Sequence, residues 1–318
     1  MKERFITGFC IFFVVLVMFS AKIILEVNWI FDVFIGLIAI AGAFEIAKIF
    51  KKMGLFNHEY LIGIFPLFFY ALIILGILTE MPIYLFILLT VALIIVLAVV
   101  SIIISYIKKT DTVAEMRVRN IRTSVWNFSV TKAGQTILGF FYPTMLFMIL
   151  ILFNHLEELG FIFNNVGGYN SNLSIIALAL AFLIPFICDT FAYLMGNLIG
   201  GKKLCPKVSP IKTISGAVGG VLWTSILLVA LFLIFSADTV LTPVLTGIGF
   251  EWWHFAIIGI ITGIACVYGD LFESLLKRKA NMKDSANILP GHGGITDRID
   301  SFVFSTPIIF IFLLFFIV

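Results

Sequence analysis

The chain has 318 residues, of which 61% are hydrophobic and only 12% charged, and its mean hydropathy is +1.15; soluble domains run at roughly 45–50% apolar and about 25% charged. A soluble core cannot hide that much apolar surface, so lipid is the solvent. The formal net charge of +3 is too small to argue for a nucleic-acid partner, and the four scattered cysteines, Cys10, Cys188, Cys205 and Cys266, lack the close pairs of a zinc site or a disulfide framework.

Apolar runs of about the 20 residues needed to cross a bilayer predict an all-α integral membrane protein with nine spans, at 5–25, 29–49, 60–79, 82–107, 136–154, 174–198, 214–236, 252–276 and 301–318. These form a single multi-pass domain over 1–318: N-terminal helices over 1–110, a polar cytoplasmic segment over 111–135, and a C-terminal half over 181–318. The first span has an apolar core longer than that of a signal peptide and is expected to be retained.

With the N-terminus inside, the basic residues fall on one side. Lys48, Lys51 and Lys52, then Lys108 to Lys132, then Lys202, Lys203, Lys207 and Lys212, then Lys277 to Arg298 all lie in inner loops. Glu26, Glu80, Glu157, Glu158, Asp238 and Glu251 lie in outer ones, and Lys22 is expected to snorkel to the outer headgroups. That is the positive-inside pattern, and it predicts a cytoplasmic N-terminus in a plasma (inner) membrane.

A carboxylate at bilayer depth costs about 2.5–3.5 kcal/mol on insertion scales. Glu45, Asp189, Asp270 and Glu273 therefore need partners or a wet cavity. Helical spacing sets Asp270, Glu273, Ser274 and Lys277 on one face, and Asp189, Tyr193 and Asn197 on another. Pairing between helices is the plain alternative reading, and for Glu45 it is evenly balanced with a functional one.

Between Ser274 and Asp300 the chain packs five basic residues, three aspartates, a histidine and three loop glycines into 27 positions. Those residue types suit phosphate. Lys277, Arg278, Lys283 and Arg298 can neutralise phosphate oxygens, Gly291, Gly293 and Gly294 let backbone N–H groups approach an anion, and Asp270, Asp297 and Asp300 are the hard oxygen ligands Mg²⁺ prefers.

Ser274, Lys277-Arg278, Lys283-Asp284, Pro290, His292-Gly293-Gly294, Asp297-Arg298 and Asp300 stand in the order and spacing of one known signature. The chain resembles the phosphatidate cytidylyltransferase (CDP-diacylglycerol synthase) family. A second resemblance runs through Asp189, Ala192-Tyr193, Gly196, Gly201-Lys202, Ser209-Pro210 and Lys212-Thr213, but Ile211 and Ser215 depart from the family's usual lysine and glutamate. Glu45, after Ala43-Phe44, stands where the family has an acid in its second span.

The resemblance implies a reaction of CTP with phosphatidic acid that gives CDP-diacylglycerol and pyrophosphate, with Mg²⁺, or Mn²⁺ in its place, as cofactor. It implies Asp270, Asp297, Lys277 and Arg298 as catalytic residues, with Asp300 and Asp189 completing the metal candidates. Ser209, Lys212, Thr213, Ser274, Arg278, Lys283, His292, Gly293 and Gly294 are then the substrate-binding candidates. A CTP-dependent polyprenol kinase, a CDP-archaeol synthase and an anionic-solute transporter remain alternatives, and homo-oligomer formation is left open.

Two further motifs carry less. Gly196 to Lys203 has Walker A glycines and lysine, but it ends a membrane helix, and Lys203 replaces the Mg²⁺-binding Ser/Thr. Residues 111–133 read either as a surface segment attracted to anionic lipid or as an ordinary solvated loop.

Overall fold

The computed structural model describes residues 13–20, 22–24, 27–158, 173–237, 245, 249–286, 288 and 293–317. Eight helices among them are long and apolar enough to cross a membrane. They are α1 (Trp29–Lys52), α2 (Glu59–Leu78), α3 (Ile83–Ile107), the run α5 (Val125–Gly139) to α6 (Leu146–Asn154), α7 (Leu173–Ile199), α8 (Ile214–Ala237), α9 (Trp252–Lys279) and α10 (Thr296–Ile317); the run between α5 and α6 counts as one span. Helices are what lipid demands, because each backbone N–H finds its acceptor within its own segment. This is a multi-pass membrane protein. Of the expected first span, residues 13–20 and 22–24 are described and are helical; its other residues lie outside the described ones.

The fifth span begins at Val125, not at 136. Ser124 caps it by accepting the Asn127 N–H, so polar residues at the start of the helix join the apolar run behind them. A π-helical turn, Phe140–Met145, then bends it, with Tyr142 at φ −111° and ψ 126°. The remaining polar stretch forms a separate ten-residue helix, α4 (Lys109–Val118).

One small departure from an all-α fold follows α7. Lys203–Cys205 (β1) and Ser209–Thr213 (β2) pair antiparallel, with Lys203 opposite Thr213 and Cys205 opposite Ser209. The Walker-like glycines therefore run from a helix into a strand, the reverse of a P-loop.

The core lies where α1, α6, α7 and α10 meet, with Ile35, Ile46, Phe153, Leu180 and Val303 fully buried. Helices α7, α8 and α9 approach more closely because small residues line their seams. A Cβ on Gly220 would meet the Cys188 carbonyl oxygen at 2.9 Å, and one on Gly263 the Val221 Cα at 3.1 Å. Close approach through small residues is how membrane helices gain packing when hydrophobicity offers none. Asp189 on α7 meets Ser301 of α10 beside this packed group.

At the opposite end of the bundle is a buried polar knot. Asp32, 1% exposed, accepts from His155 Nε2 at 2.7 Å, Asn154 Nδ2 at 2.9 Å and the Tyr70 hydroxyl at 3.4 Å. Lys22 is buried too, donating to the Asn154 carbonyl at 2.8 Å and Asn28 Oδ1 at 3.0 Å; it does not snorkel outward, because those acceptors solvate it inside. Burial opposes a charge on His155, yet its bonds to Asp32 and Glu158 raise its pKa to about 9.

Candidate active site

The signature loop is organised by two carboxylates, one its own and one distant. Asp297, in the first turn of α10, accepts Lys277 Nζ at 2.5 Å on Oδ1, while its Oδ2 accepts the Ser285 N–H at 3.0 Å, the Ser285 hydroxyl at 2.8 Å and the Gly294 N–H at 2.7 Å. Glu45, from α1, accepts the Ile295 N–H at 2.8 Å on one oxygen. Its other oxygen takes the Thr296 N–H at 2.8 Å, the Thr296 hydroxyl at 2.7 Å and the Ser285 hydroxyl at 3.1 Å. A helix N-terminus leaves four N–H groups without intrahelical partners. Here two carboxylates supply acceptors around that end, where the helix dipole also favours negative charge.

The loop glycines answer to this arrangement. Gly293 has φ +82°, which L side chains rarely adopt. A Cβ on Gly294 would collide with the Ser285 hydroxyl and stand 2.6 Å from Glu45. The Gly294 N–H goes to Asp297, so the tight backbone first serves the carboxylates. His292 lies outside the described residues.

The stripe expected on α9 forms. Lys277 bridges Glu273 at 2.7 Å, one turn back, as well as Asp297. Asp270, about a third exposed, is ion-paired with Lys212 of β2. The hairpin thus delivers a lysine to α9, and it is fixed from both sides: Arg278 Nε donates to the Val208 carbonyl at 3.2 Å, and Thr213 Oγ1 accepts the Gly216 N–H at 3.1 Å. Ser215 donates to Thr213 at 3.1 Å and is also bonded to the Gly200 carbonyl. In this chain Ser215 therefore closes the base of the hairpin, where the resemblance had led to an expected glutamate.

On the third side Asp189 accepts the Ser301 hydroxyl at 3.2 and 3.1 Å, and the Ser301 N–H donates to Asp300 at 2.8 Å. Asp189, Asp270 and the buried Asp300 act electrostatically on one another, and Lys212 and Arg298 act on Asp189. Asp189, Arg278, Lys283 and Arg298 are exposed and Ser209, Lys212, Asp270 and Ser274 partly so; Ile211, 81% exposed, points away into open surroundings.

Among the described residues, no group of three or more His, Cys, Asp or Glu side chains is arranged as a ready metal cage. The donor chemistry nonetheless suits Mg²⁺, which usually binds through one or two carboxylates plus substrate phosphates and keeps several waters. Four aspartates from α7, α9 and α10 stand at this end of the bundle, two of them already matched by a lysine.

The sequence reading did not single out Ser285 and Ser301, and it left Glu45 undecided. Ser285 lies in a loop and Ser301 is one polar residue among several near the start of α10, so neither carries a periodic signal, and only the contacts across the bundle show their use. Asp32, one turn inside its helix, was legible as a charge at membrane depth but was not among the acids picked out.

The family model of the cytidylyltransferases matches residues 2–316. The chain belongs to the cytidylyltransferase family. Among curated proteins, the phosphatidate cytidylyltransferase of Staphylococcus haemolyticus is 42% identical over 134 residues, which cover 42% of this chain and 47% of that protein. The protein of the same name from Staphylococcus saprophyticus is 41% identical over 134 residues, again 42% and 47% of the two chains. That of Haemophilus influenzae is 39% identical over 131 residues, 41% of this chain and 43% of the relative. The chain thus spans about half the length of the curated cytidylyltransferases it matches, as 47% and 43% coverage state.

Proposed function

We propose that this cytidylyltransferase joins CTP to phosphatidic acid, giving CDP-diacylglycerol and pyrophosphate, at a site on the cytoplasmic side of the plasma membrane. The observation that carries the reading is the pairing of Lys212 with Asp270 and of Lys277 with Asp297, two cation–carboxylate pairs at one end of the bundle. Each couples a residue type that holds phosphate to one that holds a hard cation. The names of the relatives support the substrates, and the one-sided distribution of lysine and arginine supports the cytoplasmic placement.

In this reaction a phosphatidate phosphate oxygen attacks the α-phosphorus of CTP. The new P–O bond forms as the bond from the α-phosphorus to the bridging oxygen breaks, and pyrophosphate leaves with the electron pair. A phosphate monoester is already largely ionised near neutral pH, its second pKa being near 6, so no strong general base is needed. The obstacle is repulsion between two anions.

Lys212, Lys277, Arg278, Lys283 and Arg298 answer that repulsion by neutralising phosphate oxygens, with Ser209, Thr213 and Ser274 as neighbouring hydroxyls. Positioning plus charge stabilisation is the general basis of such transfer. Asp270 and Asp297, with Asp189 and Asp300 beside them, would hold Mg²⁺. That ion, when bound, would draw charge off the triphosphate. The glutamate–loop clamp of Glu45 keeps Asp297 and Arg298 in place on the first turn of α10. A site at the end of the bundle lets CTP arrive from water while acyl chains stay in lipid.

The test is purified protein with radiolabelled CTP, dioleoyl phosphatidic acid and Mg²⁺. A labelled CDP-lipid with one pyrophosphate per turnover is expected. Release of CDP with a phosphorylated polyprenol would overturn the reading in favour of a kinase, and absence of any turnover would favour a transporter.

A further inference from the structure

We propose that a second pocket, between α1, α4 and α5, binds the phosphate of an anionic phospholipid headgroup, apart from the catalytic cluster. The pocket encloses about 310 Å³ and is walled by Lys51, Phe56, Asn57, Glu115, Arg119 and Lys132, among others. Those walls set three cations against one carboxylate. Lys132 pairs with Glu115 at 2.8 Å, and Lys51 reaches outside the wall to Glu59 at 2.9 Å. Among the described residues Arg119 makes no ion pair; its guanidinium lies over the Phe56 ring, 5.2 Å from the centroid.

The loop is shaped around that guanidinium. Gly54, at φ +88°, leaves room for it, since a Cβ there would stand 2.9 Å from Arg119 Nη1. A stacked, exposed guanidinium keeps its N–H edge available, and that edge matches a phosphate bidentately. A second observation points to a ligand. Asn57 Oδ1, on the pocket wall, is buried with no hydrogen-bond partner, an unfavourable arrangement unless something donates to it. A headgroup that carries hydroxyls beside its phosphate, as phosphoglycerol does, supplies both.

Depth favours a lipid over a soluble ester. The same corner holds an apolar cavity of about 330 Å³ lined by Ile102, Ile103, Tyr106, Ile107 and Trp126; Trp and Tyr mark the membrane–water boundary. The pocket also lies at the signature end of the bundle, because Lys51 follows Glu45 on α1 by six residues, about 9 Å along the axis. Basic residues beside a membrane attract anionic headgroups.

The experiment measures the thermal unfolding midpoint of the full chain in zwitterionic detergent against rising dihexanoyl phosphatidylglycerol, dihexanoyl phosphatidylcholine or glycerol 3-phosphate. A ligand that binds only the folded state raises the midpoint according to its affinity. Phosphatidylglycerol is expected to raise it and phosphatidylcholine not to. The Lys51→Gln/Arg119→Gln double variant, altered at exposed positions, should need at least about tenfold more phosphatidylglycerol, an effect of lost charge-assisted bonds. Glu115→Gln, which removes the one carboxylate of the wall, should need less, and Asp270→Asn should respond as the unaltered chain does. Equal binding of glycerol 3-phosphate would support the phosphate site and make its source soluble. An unchanged double variant, equal binding of phosphatidylcholine, or loss of the response in Asp270→Asn would overturn the proposal.

Discussion

Glu45 and Thr296 are 251 positions apart in the chain, yet one Glu45 oxygen accepts both the N–H and the hydroxyl of Thr296, at 2.8 and 2.7 Å. An acid at membrane depth thereby becomes the cap of the last helix. Its four donors compensate the cost of burying it, and its position sets where Asp297 and Arg298 begin.

Glu45→Gln keeps the size of the side chain but turns one acceptor into a donor facing N–H groups. Leaving buried hydrogen-bonded charge partners unmatched costs roughly 2–4 kcal/mol. Thermal unfolding in detergent should show that loss, and turnover of CTP per folded molecule should fall at least about tenfold, as a misplaced site does. Unchanged stability and turnover would remove Glu45 from both roles.

Asp270→Asn and Asp297→Asn should fail differently. Both lose a charge near the proposed metal, so each should lower activity by roughly a hundredfold or more, with partial rescue by higher Mg²⁺ or by Mn²⁺. Asp297 also holds Ser285 and Gly294, so only Asp297→Asn should in addition lower the unfolding midpoint. If Asp270→Asn instead loses stability while specific activity stays unchanged, Asp270 only pairs helices.

The knot around His155 predicts a loss of stability in alkali. Its pKa in the folded protein, about 9, lies above the ordinary value near 6.5, so the charged form is favoured by folding. That contribution is whole below about pH 6.5 and fades as pH rises through about 9, on the order of 3 kcal/mol in all. The unfolding midpoint, measured from pH 6 to 10, should fall, and in His155→Gln that fall should shrink; parallel curves would show that the histidine contributes nothing to it.

Orientation is open to labelling in a background without native cysteines. Lys207 and Glu80 are both exposed and lie at opposite ends of the bundle. On intact cells an impermeant thiol reagent should modify Glu80→Cys and spare Lys207→Cys until the membrane is opened, because the basic loops are retained inside. The reverse pattern would invert the protein.

What the sequence determined by itself follows from local physics. Apolar runs long enough for a bilayer define the spans, a 3.6-residue period puts Asp270, Glu273 and Lys277 on one face, and the one-sided lysines and arginines predict orientation. The order of residues from Ser274 to Asp300 pointed to the family before any contact was known. Tertiary structure alone decided which distant group meets each charge. No period within α1 says that Glu45 ends at Thr296, none within the hairpin that Lys212 reaches Asp270 or Arg278 the Val208 carbonyl, and nothing near Asp32 names His155. Such pairings depend on which helices lie side by side, set here by the small-residue seams between α7, α8 and α9 and by the buried contacts of α1 with α6 and α10. Burial then makes them obligatory, because a charge inside the bundle without its partner would cost more than the packing returns.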